Sequence, residues 1–245
     1  MTTGLQISTR DGIGRAVLEN GASNTVDGEI CAALSGYLHD PPDDAHVLVI
    51  SARGPAFCLG RERQGHTLDE LRAEVSALVE LNLALTTARL ITVAQVHGDA
   101  AGFGVGLAAL CDVTIAAPSA RFWFPEVELG LAPAVVLAWL PRLVGHKRAL
   151  HLAATGKTLT AAEAAEIGLV TRVASAGDAL EATVEEEVAA LAKHSSRVHA
   201  EIKQFLNATA DQSEANAYDL AIEKLIIGSL DGSMTTAVRE PMQQR

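Results

Sequence analysis

The 245-residue chain is short of cysteine, of positive charge and of long hydrophobic runs. Its three cysteines, Cys31, Cys58 and Cys111, are too few and too widely spaced for a disulfide framework or a zinc site, so we expect reduced packing residues. Nineteen basic residues against 30 acidic ones give a net charge of -11, which disfavours nucleic acid as a partner. The longest apolar run, Leu131 to Leu140, has about half of the roughly 20 residues that a membrane-spanning helix needs. We therefore expect a cytoplasmic protein without a membrane anchor, a signal peptide or a bound metal.

The order of sequence patterns predicts an α/β fold. At roughly 100 to 200 residues per domain, the chain is long enough for one large domain with or without an appendage. The turn Asp11-Gly12 predicts a β-hairpin within residues 5–18, and helix-like and strand-like segments then alternate. Helical periodicity dominates the last third. We expect an α/β core over residues 1–150 and a helical oligomerisation region over residues 151–245.

Two helix starts carry a capping-box pattern. Thr67 and Glu70 precede a long amphipathic repeat of leucines, and Thr160 and Glu163 have the same spacing. In a capping box the hydroxyl and the carboxylate satisfy each other's free backbone amides. Each pair therefore predicts that a helix begins at the residue after its threonine.

A glycine-rich turn, Gly102-Phe-Gly104-Val-Gly106, lies between a predicted strand and a predicted helix. It is not a dinucleotide-binding turn, because Leu107 stands where the third glycine of that motif would be, and no Gly-Lys-Ser/Thr follows. The turn could present backbone amides to a developing negative charge, or its glycines could let the helix pack closely on the strand. The residues alone leave both interpretations open.

Two more segments could complete a site. The loop Arg53–Gly60 also follows a buried strand and can present free amides at a sheet edge. Glu126 follows an aromatic and proline-containing run, and apolar surroundings raise the pKa of a carboxyl toward the range that a general acid or base needs. Glu126 could instead cap a turn, but we favour the chemical role; for Glu128 we favour a solvated surface charge.

Five segments, in this order, resemble the crotonase, or enoyl-CoA hydratase/isomerase, superfamily. The resemblance runs from about Leu5 to Val173. It is carried by Asn24, by Phe57-Cys-Leu-Gly60, by Val96-His-Gly-Asp-Ala-Ala-Gly-Phe-Gly-Val-Gly-Leu with Cys111-Asp112, by Pro125-Glu-Val-Glu-Leu-Gly-Leu-Ala-Pro133, and by Ala154–Val170. Each segment alone is weak, but five in register are specific, and the chain is identified as a member of this family.

The resemblance implies a spiral of β-β-α units followed by helices that form a trimer or a dimer of trimers. It implies an acyl-CoA thioester as substrate, with coenzyme A as part of that substrate and no separate cofactor. The thioester oxygen of such enzymes accepts two backbone hydrogen bonds, which we map onto the amides of Leu59 and Phe103, and Glu126 matches a catalytic carboxylate. The other positions that the resemblance places at the substrate are Thr25, Cys58, Gly60, Arg61, Gly104 and Pro125.

The chain also departs from the family pattern. Gly106 replaces the first of two glutamates that hydratases of the family use, and Ala134 stands where dienoyl-CoA isomerases, dehalogenases and hydroxyisobutyryl-CoA hydrolases carry an aspartate. Phe103 replaces a glycine, although a bulky residue rarely adopts a positive φ. The charges of Arg61–Arg63 could meet CoA phosphates or face solvent. The segment from Asp231 onward lacks the usual CoA-contacting residues.

Three functions follow as hypotheses. The leading one is hydration of a 2-enoyl-CoA, with Glu126 activating the water. An alternative is double-bond isomerisation with Glu126 as the single proton carrier. A third hypothesis, from a different class, is a non-catalytic acyl-CoA-binding paralogue, which the replacements at residues 103 and 106 and the altered C-terminal segment would suit.

Overall fold

The computed structural model describes residues 4–175 and 179–230. The chain divides into two compact units, Met1–Glu201 and Ile202–Arg245. The first unit extends well beyond the boundary predicted at residue 150. It does so because Val184 and Val188, on a late helix, are buried against valines of the central sheet. The segment from Asp231 onward, to which the altered CoA contact was assigned, lies outside the described residues.

The described residues form ten strands in two sheets, and the predicted α/β class is confirmed. The strands are β1 (Leu5–Arg10), β2 (Ile13–Leu18), β3 (Val47–Ala52), β4 (Ala56–Cys58), β5 (Ile91–Val96), β6 (Asp99–Ala101), β7 (Val113–Ala116), β8 (Arg121–Trp123), β9 (Leu159–Thr160) and β10 (Arg172–Val173).

The larger sheet has the strand order β1-β2-β3-β5-β7-β10. Strands β1 and β2 form the predicted antiparallel hairpin, in which Asp11 (φ 51°) and Gly12 (φ 76°) make the turn. All other neighbours in this sheet are parallel. A parallel strand is covered on both faces, which explains why Val47 to Ile50 are all buried and read as one continuous apolar run.

Helices complete the first unit. They are α1 (Gly28–His39), α2 (Leu68–Thr87), α3 (Phe103–Ala109), α4 (Ala134–Leu137), α5 (Leu140–Val144), α6 (His146–Thr155), α7 (Ala161–Glu166), α8 (Leu180–Ala192) and most of the first half of α9 (Ser196–Thr209). Two of them, α3 and α8, pack against the central strands of the larger sheet. Both predicted capping boxes are confirmed, at Thr67 with Glu70 and at Thr160 with Glu163. A 3-10 helix, Pro125–Leu129, follows β8.

The smaller sheet, in the order β4-β6-β8-β9, places the three chemically interesting segments side by side. Strands β4, β6 and β8 are parallel, and only β9 runs antiparallel. Parallel strands end at the same edge of a sheet. The loop after Cys58, the glycine-rich turn after Ala101 and the segment after Trp123 therefore meet at one edge, although about 65 residues of chain lie between the first and the last.

The second unit contains the end of α9 and helix α10 (Glu214–Leu230). Large apolar side chains are more than half exposed along α10, among them Tyr218, Ile222, Leu225 and Ile226. None of the helices among the described residues is both long enough and apolar enough to span a bilayer.

Candidate active site

A cavity of about 640 Å³ opens where β4, β6 and β8 end. Its wall combines the loop from Leu59 to Arg63, the start of α3, the 3-10 helix and the apolar segment that runs from Leu131 to Trp139. Val75 and Leu78 of α2 close another side. The size and the mostly apolar lining suit a small organic group, with a few polar groups left to orient it.

Glu126 is the carboxylate of this cavity, as predicted. It lies in the first turn of the 3-10 helix, directly after Pro125. Its Oε2 is buried without a hydrogen-bond partner among the described residues. Burial raises the pKa of Glu126, whereas the positive charges of Arg63 and Arg61 oppose that rise. The backbone amide of Glu126 also opposes the rise by a hydrogen bond to the carboxylate. A half-buried carboxyl with one unpartnered oxygen is able to accept and return a proton.

The glycine-rich turn brings the backbone of Gly102 close to Glu126. Gly102 precedes α3 with φ 52°, and a Cβ at this position would lie 2.9 Å from Oε1 of Glu126. The positive φ therefore falls on Gly102, and Phe103 occupies an ordinary first helical position. This resolves the steric objection to Phe103. Its N–H, like other amides in the first turn of a helix, has no acceptor within the helix.

The second predicted donor, Leu59, does not fit the structure. Its side chain lines the cavity, but its amide already donates a hydrogen bond to the Ser23 carbonyl at 2.9 Å. An amide that is committed to the scaffold is not free for a thioester oxygen. The prediction missed this because the acceptor lies 36 residues earlier in the chain.

The amide of Arg61, two residues further along the chain, is directed away from the backbone that Val26 provides. Val26 forms a parallel bridge with Arg61, in which the Val26 amide donates to the Gly60 carbonyl (3.0 Å) and the Glu62 amide donates to the Val26 carbonyl (2.8 Å). In such a bridge the middle residue turns its own N–H away from the partner. The Arg61 N–H therefore faces away from Val26. From the sequence we predict substrate binding for Arg61 and no role of its amide.

The remaining predicted residues fall into two groups. Gly60, Arg61 and Pro125 line the cavity, whereas Thr25, Cys58 and Gly104 are absent from the lining that the described residues form. The Thr25 hydroxyl donates to Glu62 at 3.3 Å. Cys58 is fully buried, and burial raises the pKa of its thiol to about 12.

Gly104 settles part of the ambiguity of the glycine-rich turn. A Cβ at this position would lie 2.0 Å from the Cys58 carbonyl oxygen, so α3 packs directly on the backbone that follows β4. Close packing is therefore one function of the turn, through Gly104, and the bend at Gly102 leaves Phe103 at the first position of α3.

The place where a second acid would stand is filled by Trp139. A Cβ at Gly106 would lie 3.3 Å from Cζ2 of the indole. The indole is 9% exposed and packs edge to face against Phe124, with ring centroids 6.4 Å apart. The sequence does not predict this contact. Trp139 lies just before α5, 33 residues after Gly106, and no local pattern indicates that the two residues meet.

Comparison of the sequence with known proteins identifies its relatives. The family model "Enoyl-CoA hydratase/isomerase" matches residues 8–230. A Thermus thermophilus protein that is provisionally named an enoyl-CoA hydratase is 36% identical over 73% of this chain and 75% of its own length. A Mycobacterium tuberculosis relative, also provisionally named as one, is 33% identical over 66% of this chain, and the match spans 63% of that relative.

Solved structures of proteins named enoyl-CoA hydratases share the fold of this chain. A Mycobacterium smegmatis enoyl-CoA hydratase has a TM-score of 0.84 at 26% identity and covers 97% of this chain and 98% of its own. A Thermobifida fusca structure, provisionally named an enoyl-CoA hydratase and solved in complex with CoA, has a TM-score of 0.85 at 26% identity and 95% coverage of both chains.

Proposed function

Because the chain belongs to the enoyl-CoA hydratase/isomerase family and is an enzyme that processes acyl-CoA thioesters, we propose that it adds water across the double bond of a 2-enoyl-CoA. The observation that carries the proposal is the meeting of three groups at one cavity. They are the carboxylate of Glu126, whose Oε2 has no hydrogen-bond partner among the described residues, the Arg61 amide, which faces away from Val26, and the Phe103 amide in the first turn of α3. The crotonase-like α/β fold supports the same reaction class.

In the proposed reaction the thioester oxygen accepts hydrogen bonds from the Arg61 and Phe103 amides. Glu126 takes a proton from water, the water oxygen bonds to the β-carbon, and the double-bond electrons move to the thioester oxygen as an enolate. Glu126 then returns the proton to the α-carbon, so that one water is added in total. Removing one such donor costs on the order of 3 kcal/mol of barrier, which makes the backbone geometry as important as the acid.

Glu126→Gln tests the role of the carboxylate. Glutamine keeps the size and cannot carry the proton, so we expect hydration of a 2-enoyl-CoA to fall by about 10²- to 10⁴-fold. Binding of a saturated acyl-CoA, measured by calorimetry, should remain. Glu128→Gln is the matched control, because Glu128 is exposed on the same 3-10 helix. Unchanged turnover in Glu126→Gln would remove Glu126 from the mechanism.

The contact between Trp139 and Gly106 favours a second candidate, isomerisation of the double bond. With an indole in place of a second acid, a single carboxylate moves a proton between two carbons and no water is needed. Conversion of a 3-enoyl-CoA to a 2-enoyl-CoA without a 3-hydroxyacyl product would support this candidate. Tight acyl-CoA binding with no turnover of any enoyl-CoA would instead support the non-catalytic hypothesis.

The remaining parts of the proposal concern the working form of the enzyme. We propose a trimer or a dimer of trimers, which the exposed apolar side chains of α10 support. We also propose that coenzyme A enters only as part of the substrate, that the enzyme acts in the cytoplasm, and that its substrates belong to fatty acid metabolism. Sedimentation equilibrium of the full chain tests the oligomeric state.

A further inference from the structure

The segment between Arg61 and Thr67 begins in the wall of the cavity, which Arg61 and Arg63 line, and forms no helix or strand beyond the bridge at Arg61. Two carboxylates from neighbouring turns of α2, Glu70 and Glu74, hold it. Glu70 accepts the amides of His66 (2.8 Å) and Thr67 (2.9 Å), which is the capping box already described. Glu74 plays no part in the cap, and it contacts residues nearer the start of the segment.

Glu74 gathers three donors from the segment. Its Oε1 accepts the amide of Gln64 at 2.9 Å and the amide of Gly65, and its Oε2 lies 3.4 Å from Nη1 of Arg61. The side chains of Arg61 and Glu74 are only 24% and 20% exposed. Such a pair is less screened than a surface ion pair, and hydrogen bonds to a charged acceptor are the stronger kind.

The fit between the segment and the helix is tight. A Cβ at Gly65 would lie 3.0 Å from the backbone carbon of Glu70 and from the amide nitrogen of Leu71. The segment therefore lies directly on the first turns of α2, where the Glu74 carboxylate can reach two successive amides.

Arg61 is thus held at two points. Its backbone is fixed on one side by the bridge with Val26, and its guanidinium and the residues that follow are fixed on the other side by Glu74. The amide that we assign to the thioester oxygen lies between these two attachments.

We propose that Glu74 is a positioning residue that keeps the Arg61 amide aimed at the thioester oxygen. The inference rests on the proposed function, because it takes the Arg61 amide as one of the two donors. Glu74 itself touches no reacting atom. Without it, the Arg61 guanidinium and the amides of Gln64 and Gly65 lose their acceptor. The stretch between the bridge with Val26 and the Glu70 contacts at His66 and Thr67 is then less constrained. Displacing a catalytic group by about 1 Å is enough to cost about 100-fold in rate.

The test compares Glu74→Ala and Glu74→Gln with Glu80→Gln, a control on an exposed position of the same helix. The first readout is the carbonyl stretch of bound butyryl-CoA labelled with ¹³C at the thioester carbon. This ligand is saturated and is not turned over, so the frequency reports on the hydrogen bonds to its oxygen independently of chemistry. We expect the wild-type chain and Glu80→Gln to lower the frequency equally, Glu74→Ala to lose most of that shift, and Glu74→Gln to lie between them.

The second readout is hydration of a 2-enoyl-CoA. In Glu74→Ala we expect kcat to fall about 10- to 100-fold with KM changed by less than about threefold, because the lost hydrogen bond matters most in the enolate. Glutamine still accepts the amides but cannot pair with Arg61, so it should recover part of kcat. If Glu74→Ala fails to fold, the comparison of Glu74→Gln with Glu80→Gln carries the test.

The outcomes separate this inference from the proposed function. If the wild-type chain shows no hydration but Glu74→Ala and Glu74→Gln both lose carbonyl shift, Glu74 keeps its role and the proposed reaction is wrong. If the wild-type chain hydrates the substrate and both Glu74 variants match Glu80→Gln in carbonyl frequency and kcat, the positioning role of Glu74 is overturned.

Discussion

At the scale of single residues, opposing influences determine the pKa of Glu126, the proposed acid-base group of the site. Burial raises the pKa of Glu126, and the positive charges of Arg63 and Arg61 lower it. A base must be deprotonated to act, so activity should disappear as the pH falls through this pKa. The acid limb of the pH profile therefore reports directly on the environment of Glu126.

We expect kcat/KM for hydration to fall on the acid side at a pH above the ordinary glutamate value of 4.5. In Arg63→Gln the limb should move to higher pH, because a lost positive charge makes the carboxylate easier to protonate. Arg10→Gln, which changes an exposed arginine in the hairpin, should leave the limb in place. A limb that does not move in Arg63→Gln would show that Arg63 does not act on Glu126.

Gly104 offers a stability test of the close packing behind the site. An added methyl group would lie 2.0 Å from the Cys58 carbonyl oxygen, so α3 must shift. We expect Gly104→Ala to lower the free energy of unfolding by about 3 kcal/mol, at the upper end of overpacking effects. Urea denaturation measures this loss.

Gly36→Ala is the matched control for Gly104→Ala. Gly36 lies within α1, where an added Cβ meets no atom within 4 Å. Alanine there should raise stability by about 0.5 to 1 kcal/mol through helix propensity. Equal effects of the two substitutions would contradict the packing argument.

At the scale of elements, the sequence predicted features made by neighbouring residues better than features made by residues far apart in the chain. The hairpin turn and both capping boxes involve residues within a few positions of each other, so the sequence displays them directly. The choice between the Leu59 and Arg61 amides depends on Ser23 and Val26, and the indole over Gly106 comes from Trp139. No local pattern encodes such contacts. The sequence therefore located the segments of the site, but it led to the Leu59 amide as a donor, whereas we now propose the Arg61 amide, two residues later.

Thr67→Ala tests the predicted start of α2. The threonine hydroxyl accepts the Glu70 amide at 3.2 Å, and its loss should cost about 1 kcal/mol of unfolding free energy. Ser76→Ala, at an exposed position in the middle of the same helix, should be neutral or slightly stabilising. Chemical denaturation measures both variants, and equal losses would argue against a capping role for Thr67.

At the scale of the whole molecule, the three cysteines report on the integrity of the core. All three are free and buried, as predicted, and they lie in α1, at the end of β4 and after α3. Burial raises the pKa values of the Cys31 and Cys58 thiols to about 12. Only the thiolate reacts with disulfide reagents, so both thiols are inert while the core is intact.

We expect none of the three thiols to react within minutes with an aromatic disulfide reagent at pH 8. All three should react once guanidinium unfolds the chain. Absorbance of the released thiol counts the modified cysteines in both states. Rapid modification of one thiol in the native protein would show that this part of the core opens readily.

The packing of Trp139 on Gly106 also constrains how the site could change over time. An acid at residue 106 would need the space that the indole occupies, so Gly106→Glu by itself places a carboxylate against an aromatic ring. A smaller residue in place of Trp139 leaves a void beside Phe124 if that change comes first. Each single step lowers stability, so a one-carboxylate site and a two-carboxylate site are separated by an unfavourable intermediate whichever substitution comes first.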